Sequence, residues 1–213
     1  MKKVFDASAL KAVAFDCDGV MFDSSQANQS FYNTILEHMG RPPLTSSQVE
    51  YAHMHTVDEV LAHLVGGGED YARAHQCRRA VGYDRFISEM TMEPDLTEVL
   101  QWLRPTYKTA IATNRTNTMQ TVMGIFGLEA HFDLVVTASD VARPKPDPQM
   151  LLKILETLDF NPRELLYIGD SQLDAQAALA AGVWFAAFRN PGLEAHLYLD
   201  TLSQIKGELN HHG

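Results

Sequence analysis

Five short apolar runs, each bounded by polar or turn-forming residues, recur along this chain. They cover residues 11–16, 109–113, 133–137, 165–169 and 183–188. Continuous apolar runs of this length are typical of strands that are buried on both faces of a parallel sheet. The pattern therefore predicts five strands in the interior of one sheet.

Segments of helical composition lie between the later runs, at residues 116–126, 148–158 and 172–181. Asp147 followed by Pro148 predicts a helix start, because aspartate is a good N-cap and proline suits the first helical position. Gly127 and Gly182 predict helix ends. Strands that alternate with helices indicate the α/β class, with a parallel sheet between two helical layers and ligands at the carboxyl ends of the strands.

The stretch from about residue 24 to residue 92 breaks this alternation, because it has helical stripes and no convincing strand run. The stripes are formed by Phe31, Ile35, Leu36 and Met39, and by Val57, Val60, Leu61 and Leu64. The run of three glycines at 66–68 separates two helices. We therefore predict a core formed by residues 1–20 and 93–213, with an inserted helical domain at residues 21–92.

Composition narrows the classes of function. Of 213 residues, 46% are apolar and 21% are charged, and the formal net charge of -10 argues against broad binding of nucleic acid. Asp6 and Ser8 interrupt the start before the apolar core of a signal peptide could form, and no apolar stretch approaches the length of a membrane span. We expect a cytoplasmic monomer or homodimer with no nucleic-acid or membrane partner.

Two cysteines, Cys17 and Cys77, give no disulfide framework, so we expect reduced thiols. Alternation along an extended chain should point Cys17 away from its two aspartate neighbours and into the packing. The i,i+4 spacing of His55, Glu59 and His63 favours a solvated helix face over a metal site.

Acidic pairs and a single lysine carry the candidate chemistry. Asp16 and Asp18 follow the first apolar run, and Asp170 follows the fourth. We expect each motif to begin where a strand stops, so that the sheet brings them to one edge. A carboxylate can attack phosphorus to form an aspartyl phosphate while a second one handles protons. A turn at Gly19 would let Asp16 and Asp18 approach one point.

A phosphoryl-transfer site also needs cations. Mg²⁺ is a hard ion that takes oxygen ligands from one or two carboxylates, phosphate and water, and Asp170 is the natural further ligand. Asp174 lies four residues on, on the same face if a helix begins there. Lys145, held between Pro144 and Pro146, would neutralise phosphate and nucleophile. The segment that begins at Thr113 offers a hydroxyl, and nearby backbone N–H groups can cradle phosphate oxygens.

With these residues in place, the chain resembles the haloacid dehalogenase superfamily hydrolases of the subgroup that has a helical cap after the first motif. The four motifs match in order and spacing: Asp16-Cys17-Asp18-Gly19-Val20, Thr113-Asn114-Arg115, Arg143-Pro144-Lys145-Pro146 and Gly169-Asp170 with Asp174. The resemblance covers the whole chain and implies a Rossmann-like parallel sheet between helices.

The resemblance also implies roles for individual residues. These are Asp16 as nucleophile, Asp18 as general acid and base, Thr113 and Asn114 as phosphate ligands, Lys145 as charge stabiliser and phosphate ligand, and Asp170 binding Mg²⁺ with Asp16 and the Asp18 carbonyl. Asp174 would order the waters of the metal or Lys145, and direct metal ligation is the alternative.

Together these features favour a Mg²⁺-dependent phosphatase that acts on a small phosphorylated metabolite through an aspartyl phosphate. Within the superfamily the chain is most similar to the phosphoglycolate phosphatase group, which implies 2-phosphoglycolate as a candidate substrate. Two alternatives stay open. One is a sugar-phosphate mutase of the β-phosphoglucomutase type, and the other is a non-catalytic phosphate-binding regulatory protein.

Overall fold

The computed structural model describes residues 5–210. Its strands, in chain order, are β1 (Ala12–Phe15), β2 (Phe22–Asp23), β3 (Thr91–Met92), β4 (Lys108–Thr113), β5 (Leu134–Thr137), β6 (Leu165–Gly169), β7 (Trp184–Phe188) and β8 (Leu197–Leu199). Six of them form one sheet in the order β5-β4-β1-β6-β7-β8, and each neighbouring pair is parallel. The α/β class and the parallel sheet are confirmed.

Nine α-helices lie within residues 5–210: α1 (Ser25–His38), α2 (Ser46–Met54), α3 (Val57–Val65), α4 (Glu69–Val81), α5 (Leu96–Leu103), α6 (Met119–Phe126), α7 (Gln149–Leu158), α8 (Gln172–Ala181) and α9 (Ile205–Asn210). Short 3-10 turns join several of them. Within the described range, no helix combines the length and apolar character that crossing a bilayer requires.

The sheet is buried on both faces because its central strands alternate between two hydrophobic layers. In β1, Val13 and Phe15 pack into one layer, whereas Ala12 and Ala14 pack into the other. The side chains of a strand point alternately to opposite faces, so a strand in this position must be apolar throughout. This is why four of the predicted strands, β1, β4, β6 and β7, could be recognised as continuous apolar runs. The fifth, β5, lies at the edge of the sheet and is mostly half-buried, so the prediction that it lies in the interior was wrong.

The helix boundaries differ from the prediction in small ways. Helix α6 begins at Met119 rather than near residue 116, and α7 begins at Gln149, with Pro148 in the N-cap position. Asp147 still satisfies the start of α7, since its Oδ1 accepts the Gln149 N–H at 3.1 Å. Gly127 and Gly182 adopt left-handed conformations at the ends of α6 and α8, as predicted.

Several elements were not predicted from the sequence, among them α5, α9, β8 and the pair of β2 and β3. Helix α5 was overlooked, although its buried leucines follow a helical stripe. Strand β8 has three residues at the edge of the sheet with a half-exposed Tyr198, so it lacks the apolar run of the inner strands. The antiparallel pair of β2 and β3 has two residues in each strand, which is too short for a pattern to show.

Residues 25–89, between β2 and β3, contain only helices and are called here the helical segment. Thr45 and Thr56 start α2 and α3 with capping boxes, and the glycines at 66–68 separate α3 from α4 as predicted. The division into a core of residues 1–20 and 93–213 and a cap of residues 21–92 stays a prediction. Residues 1–4 and 211–213 of that core lie outside the described range.

The central strands should dominate the stability of the chain. Ile111 in β4 is fully buried, so Ile111→Ala should lower the free energy of unfolding by about 2–5 kcal/mol through lost burial and a residual cavity. Leu179 on α8 is 79% exposed, and Leu179→Ala should change the free energy of unfolding by less than about 0.5 kcal/mol. Urea denaturation of both variants checks this. Equal losses of unfolding free energy in the two variants would mean that Ile111 is not part of the buried core.

Candidate active site

Three neighbouring strands deliver polar side chains to one edge of the sheet. Asp16 directly follows β1, Thr113 ends β4, and Asp170 directly follows β6. Since β4, β1 and β6 are adjacent and parallel, their carboxyl ends meet there. The predicted convergence is therefore found for these three residues.

Lys145 reaches the same edge by another route, and the expectation that every motif begins at a strand end was wrong for it. It lies in the loop between β5 and α7, well beyond the end of β5 at Thr137. Asn114 holds this loop from the end of β4: its Oδ1 accepts the Lys145 N–H at 3.0 Å, and its Nδ2 donates to the Lys145 carbonyl at 3.2 Å. Hydrogen bonds from the Asn114 side chain, rather than the end of a strand, therefore hold Lys145 at this edge of the sheet.

The Lys145 ammonium is the central cation of the site. Its Nζ lies 2.9 Å from Asp16 Oδ1 and 2.7 Å from Asp174 Oδ1, and it donates to the Tyr167 hydroxyl at 2.9 Å. Lys145 is 2% exposed. Burial opposes the charged form, but Asp16 and Asp174 raise the pKa of Lys145 above its ordinary value, so it stays protonated.

Asp174 is fully buried and its carboxylate is saturated with hydrogen bonds. Oδ1 accepts from Lys145 and lies 2.7 Å from the Tyr167 hydroxyl, while Oδ2 accepts the Ser171 N–H at 3.0 Å and the Ser171 hydroxyl at 2.5 Å. Burial alone would raise the pKa of Asp174, but Lys145 and these hydrogen bonds lower it. Gly169 is needed beside it, because a Cβ there would collide with the Asp174 side chain.

Asp16, Asp170 and Asp174 form an acidic cluster whose carboxylate oxygens lie within 4.8 Å of one another, and no other such group occurs within residues 5–210. Burial raises the pKa of Asp16 well above its usual range; Lys145 opposes this, and Asp174 and Asp170 add to it. Burial and Asp174 likewise raise the pKa of Asp170 to about 7. Hard oxygen donors that repel one another fit a divalent cation.

Gly19 allows this crowding. It has a positive φ of 82°, and a Cβ at this position would collide with the Asp170 carboxylate. Only glycine adopts this conformation without strain and leaves room for Asp170. The turn after Asp18 therefore brings the β1 loop against the end of β6.

Asp18 lies at the same edge of the sheet, but its carboxylate pairs with Arg115 and is not part of the acidic cluster. The Arg115 Nε and one of its terminal nitrogens donate to the two Asp18 oxygens at 2.8 and 2.6 Å, and the Ser24 hydroxyl also donates to Oδ1. Burial raises the pKa of Asp18, but the charge and hydrogen bonds of Arg115 outweigh it and lower the pKa. Sequence reasoning gave Arg115 no role, although it is the one cation in its motif.

The two predicted phosphate ligands of the β4 loop are placed differently. Thr113 lines the cavity, and its Oγ1 accepts the Arg115 N–H at 3.1 Å, which leaves the hydroxyl hydrogen free to donate. The Asn114 amide is committed to Lys145 and to the Met54 carbonyl at 3.2 Å. Phosphate binding by either residue stays a prediction, and for Asn114 it would fall to the backbone N–H.

The helical segment forms the opposite wall of a cavity of about 280 Å³ above this edge. His53 reaches across it, with Nε2 3.8 Å from Asp170 Oδ2, and was missed because nothing in its local pattern indicates that contact. His55 and His63 instead stack on the two faces of the Tyr51 ring, with centroid distances of 3.7 and 4.1 Å. The spacing of His55 and His63 thus lets both imidazole rings stack on Tyr51.

Cys17, between the two aspartates, is fully buried in one hydrophobic layer, as the alternation predicts. Burial raises the pKa of its thiol well above the ordinary value. Neither cysteine is in a disulfide. Cys17 is therefore a packing residue behind the site.

Comparison with known proteins identifies the family of the chain. A family model described as haloacid dehalogenase-like hydrolase matches residues 13–188. A phosphoglycolate phosphatase from Chromobacterium violaceum is 31% identical over 183 residues, which is 81% of this chain and 82% of the relative.

Solved structures give the same picture. A HAD-superfamily hydrolase, subfamily IA, variant 1, from Geobacter sulfurreducens is 40% identical with a TM-score of 0.79, over 97% of this chain and 100% of that one. A structure from Haemophilus somnus, described as a predicted phosphoglycolate phosphatase, has a TM-score of 0.87 at 19% identity over 94% of this chain and 98% of that one, and shows the fold alone.

The crowded acidic cluster should make the metal-free protein more stable at lower pH. Because the folded state raises the pKa of Asp170 to about 7, it binds that proton more tightly than the unfolded chain does. The unfolding midpoint should therefore rise as pH falls from about 8 towards about 5, and Asp170→Asn should raise it at pH of about 8.

Thermal denaturation in the presence of a chelator measures this effect. Glu156→Gln, which removes an exposed carboxylate on α7, serves as the control and should leave the midpoint nearly unchanged. A midpoint that falls steadily below pH of about 8, or that Asp170→Asn lowers, would contradict the electrostatic description of the cluster.

Proposed function

Because the chain belongs to the haloacid dehalogenase-like hydrolases and is a phosphoric monoester hydrolase, we propose that Asp16 is its nucleophile and that the acidic cluster binds Mg²⁺. The contact between the buried Lys145 ammonium and Asp16 Oδ1, at 2.9 Å, carries this proposal. Lys145 opposes the burial that raises the pKa of Asp16, and its fixed positive charge favours the ionised carboxylate that attack on phosphorus requires.

The charge balance of the site supports a divalent cation. When Asp16, Asp170 and Asp174 are all ionised, they face one ammonium, Lys145, which leaves an excess of two negative charges for a cation to neutralise. Asp16 and Asp170 would hold the metal together with the Asp18 carbonyl, because the oxygens of Asp174 are already committed to Lys145, Tyr167 and Ser171. When bound, Mg²⁺ would neutralise charge on the phosphate oxygens.

The proposed reaction has two steps. In the first, an Asp16 oxygen forms a bond to phosphorus while the ester P–O bond breaks, and the leaving oxygen takes a proton from Asp18. In the second, a water oxygen attacks the same phosphorus, its proton passes to Asp18, and the bond to Asp16 breaks. The products are an alcohol and inorganic phosphate, and the Asp16 carboxylate is restored.

Lys145 and Thr113 would contact the transferred phosphoryl group. Lys145 supplies a fixed positive charge next to Asp16, and the Thr113 hydroxyl has a hydrogen free to donate into the cavity. Asn114 would act mainly by holding the Lys145 backbone in register. Preorganised donors of this kind stabilise charge that develops in the transition state.

We propose residues 21–92 as a cap that closes over a small phosphorylated acid, with 2-phosphoglycolate as the leading candidate. Relatives such as the Chromobacterium violaceum protein are named for that activity. Arg78 and Arg79 also line the cavity from the cap side and supply positive charge there. Arg79 has no ion-pair partner among residues 5–210, so its charge is free to meet a substrate carboxylate.

A panel of phosphate monoesters tests this function. The protein with Mg²⁺ should release phosphate from small phosphorylated acids such as 2-phosphoglycolate faster than from sugar phosphates, nucleotides or pyrophosphate. A chelator should abolish release. Asp16→Asn should lower kcat by at least about a thousandfold without unfolding the protein, because it removes the nucleophile.

Glu156→Gln likewise replaces a carboxylate with an amide, but at an exposed position of α7, and it should leave kcat unchanged. Phosphate release that persists without metal would exclude the proposed metal chemistry. Isomerised sugar phosphate without free phosphate would indicate a mutase. Full activity in folded Asp16→Asn would show that another residue attacks phosphorus.

A further inference from the structure

A closed ring of polar contacts links Asp18 to the helical segment. It runs from Asp18 to Arg115, then to Tyr83, Asn28 and Ser24, and back to Asp18. The Arg115 terminal nitrogen donates to the Tyr83 hydroxyl at 3.1 Å, which donates to Asn28 Oδ1 at 2.7 Å. Asn28 Nδ2 donates to the Ser24 hydroxyl at 3.4 Å, and this hydroxyl donates to Asp18.

Arg115 connects Asp18, in the loop after β1, to Tyr83 in the helical segment. Its side chain is only 7% exposed, and its guanidinium lies 4.9 Å from the centre of the Tyr83 ring and 3.6 Å from the Met90 sulfur. Tyr83 lies between α4 and the following 3-10 turn, and Met90 follows that turn. The Nε edge of the guanidinium therefore binds Asp18, and the terminal nitrogen that completes this pair also contacts Tyr83 and Met90 at the end of the helical segment.

This arrangement restrains Asp18. Both of its oxygens accept hydrogen bonds from Arg115, and Oδ1 also accepts one from Ser24. A carboxyl group that carries a proton has to donate it, and each oxygen of Asp18 faces donors instead. As observed, Asp18 is positioned as a carboxylate and cannot hand a proton to a leaving group until Arg115 shifts.

We propose that Arg115 is a positioning residue that sets the orientation of Asp18, and that Tyr83 couples this orientation to the place of the helical segment. The inference rests on the proposed function. Because Tyr83 belongs to the segment and Met90 directly follows it, a shift of the segment over bound substrate would displace the guanidinium relative to Asp18. The carboxyl group then becomes available for proton transfer only when the cavity is covered.

A purely stabilising ion pair would also be buried and bidentate, so the test must separate position from stability. Proton delivery matters for an alkyl phosphate, whose alkoxide leaving group is strongly basic. It matters little for p-nitrophenyl phosphate, whose phenolate leaves without a proton. Both substrates share the second step, in which Asp18 accepts a proton from water, so the comparison uses kcat/KM, which reports only the steps up to formation of the aspartyl phosphate. In those steps a residue that acts through Asp18 should affect the alkyl ester much more than the aryl ester.

The experiment compares kcat/KM for 2-phosphoglycolate, glycerol 2-phosphate and p-nitrophenyl phosphate, all with Mg²⁺. Arg115→Gln should lower kcat/KM for both alkyl esters at least about tenfold and kcat/KM for the aryl ester less than about threefold. Arg115→Lys should recover part of the loss, because it restores the charge without the bidentate contact.

Tyr83→Phe removes only the hydroxyl that ties Arg115 to Asn28, and it should give a smaller loss with the same preference for alkyl esters. Arg41→Gln is the matched control: Arg41 pairs with Asp70 in the same segment but does not line the cavity, so the ratio of alkyl to aryl kcat/KM should stay that of the original protein. Unfolding midpoints of all four variants separate stability from catalysis.

Losses of kcat/KM in Arg115→Gln that are equal for alkyl and aryl esters would overturn the inference and indicate direct contact with the phosphate group. An unchanged ratio of alkyl to aryl kcat/KM with a lowered unfolding midpoint would overturn it in favour of a structural ion pair. If the original protein releases phosphate from none of the three esters, the proposed function fails and the inference fails with it.

Discussion

The site depends on one buried ammonium group that two carboxylates share. Lys145 contacts both Asp16 and Asp174, at 2.9 and 2.7 Å, in a position that is almost closed to solvent. A buried charge without partners would cost several kcal/mol, so each member of the trio requires the others. Tyr167 and Ser171 complete the hydrogen bonds of Asp174, and this fixes the side from which Lys145 approaches Asp16.

This constraint explains the position of several backbone features. Gly169 leaves room for the Asp174 side chain, and Gly19 leaves room for Asp170. Asn114 brackets Lys145 from the neighbouring strand end. Four distant stretches of sequence thus meet at a single point because their charges must be satisfied together, and the parallel sheet supplies the rigid edge on which they do so.

Much of this could be predicted from the sequence, because buried parallel strands are apolar throughout and their carboxyl ends share an edge. Asp16, Thr113 and Asp170 were found in this way. The position of Lys145 could not be derived from strand ends, because it depends on the two hydrogen bonds between the Asn114 side chain and the Lys145 backbone. No local sequence pattern indicates the ion pair between Arg115 and Asp18, because it joins loops that are 97 residues apart in the chain.

The central claim is that the phosphoryl group is transferred to Asp16. Acid quenching during turnover, reduction of acyl phosphates with borohydride, and mass spectrometry of the digested protein would locate the modified residue. We predict homoserine at position 16, since borohydride reduces an aspartyl phosphate to that residue, and an unmodified residue at position 18. Modification of Asp18, or steady turnover with no trapped acyl phosphate, would contradict the claim.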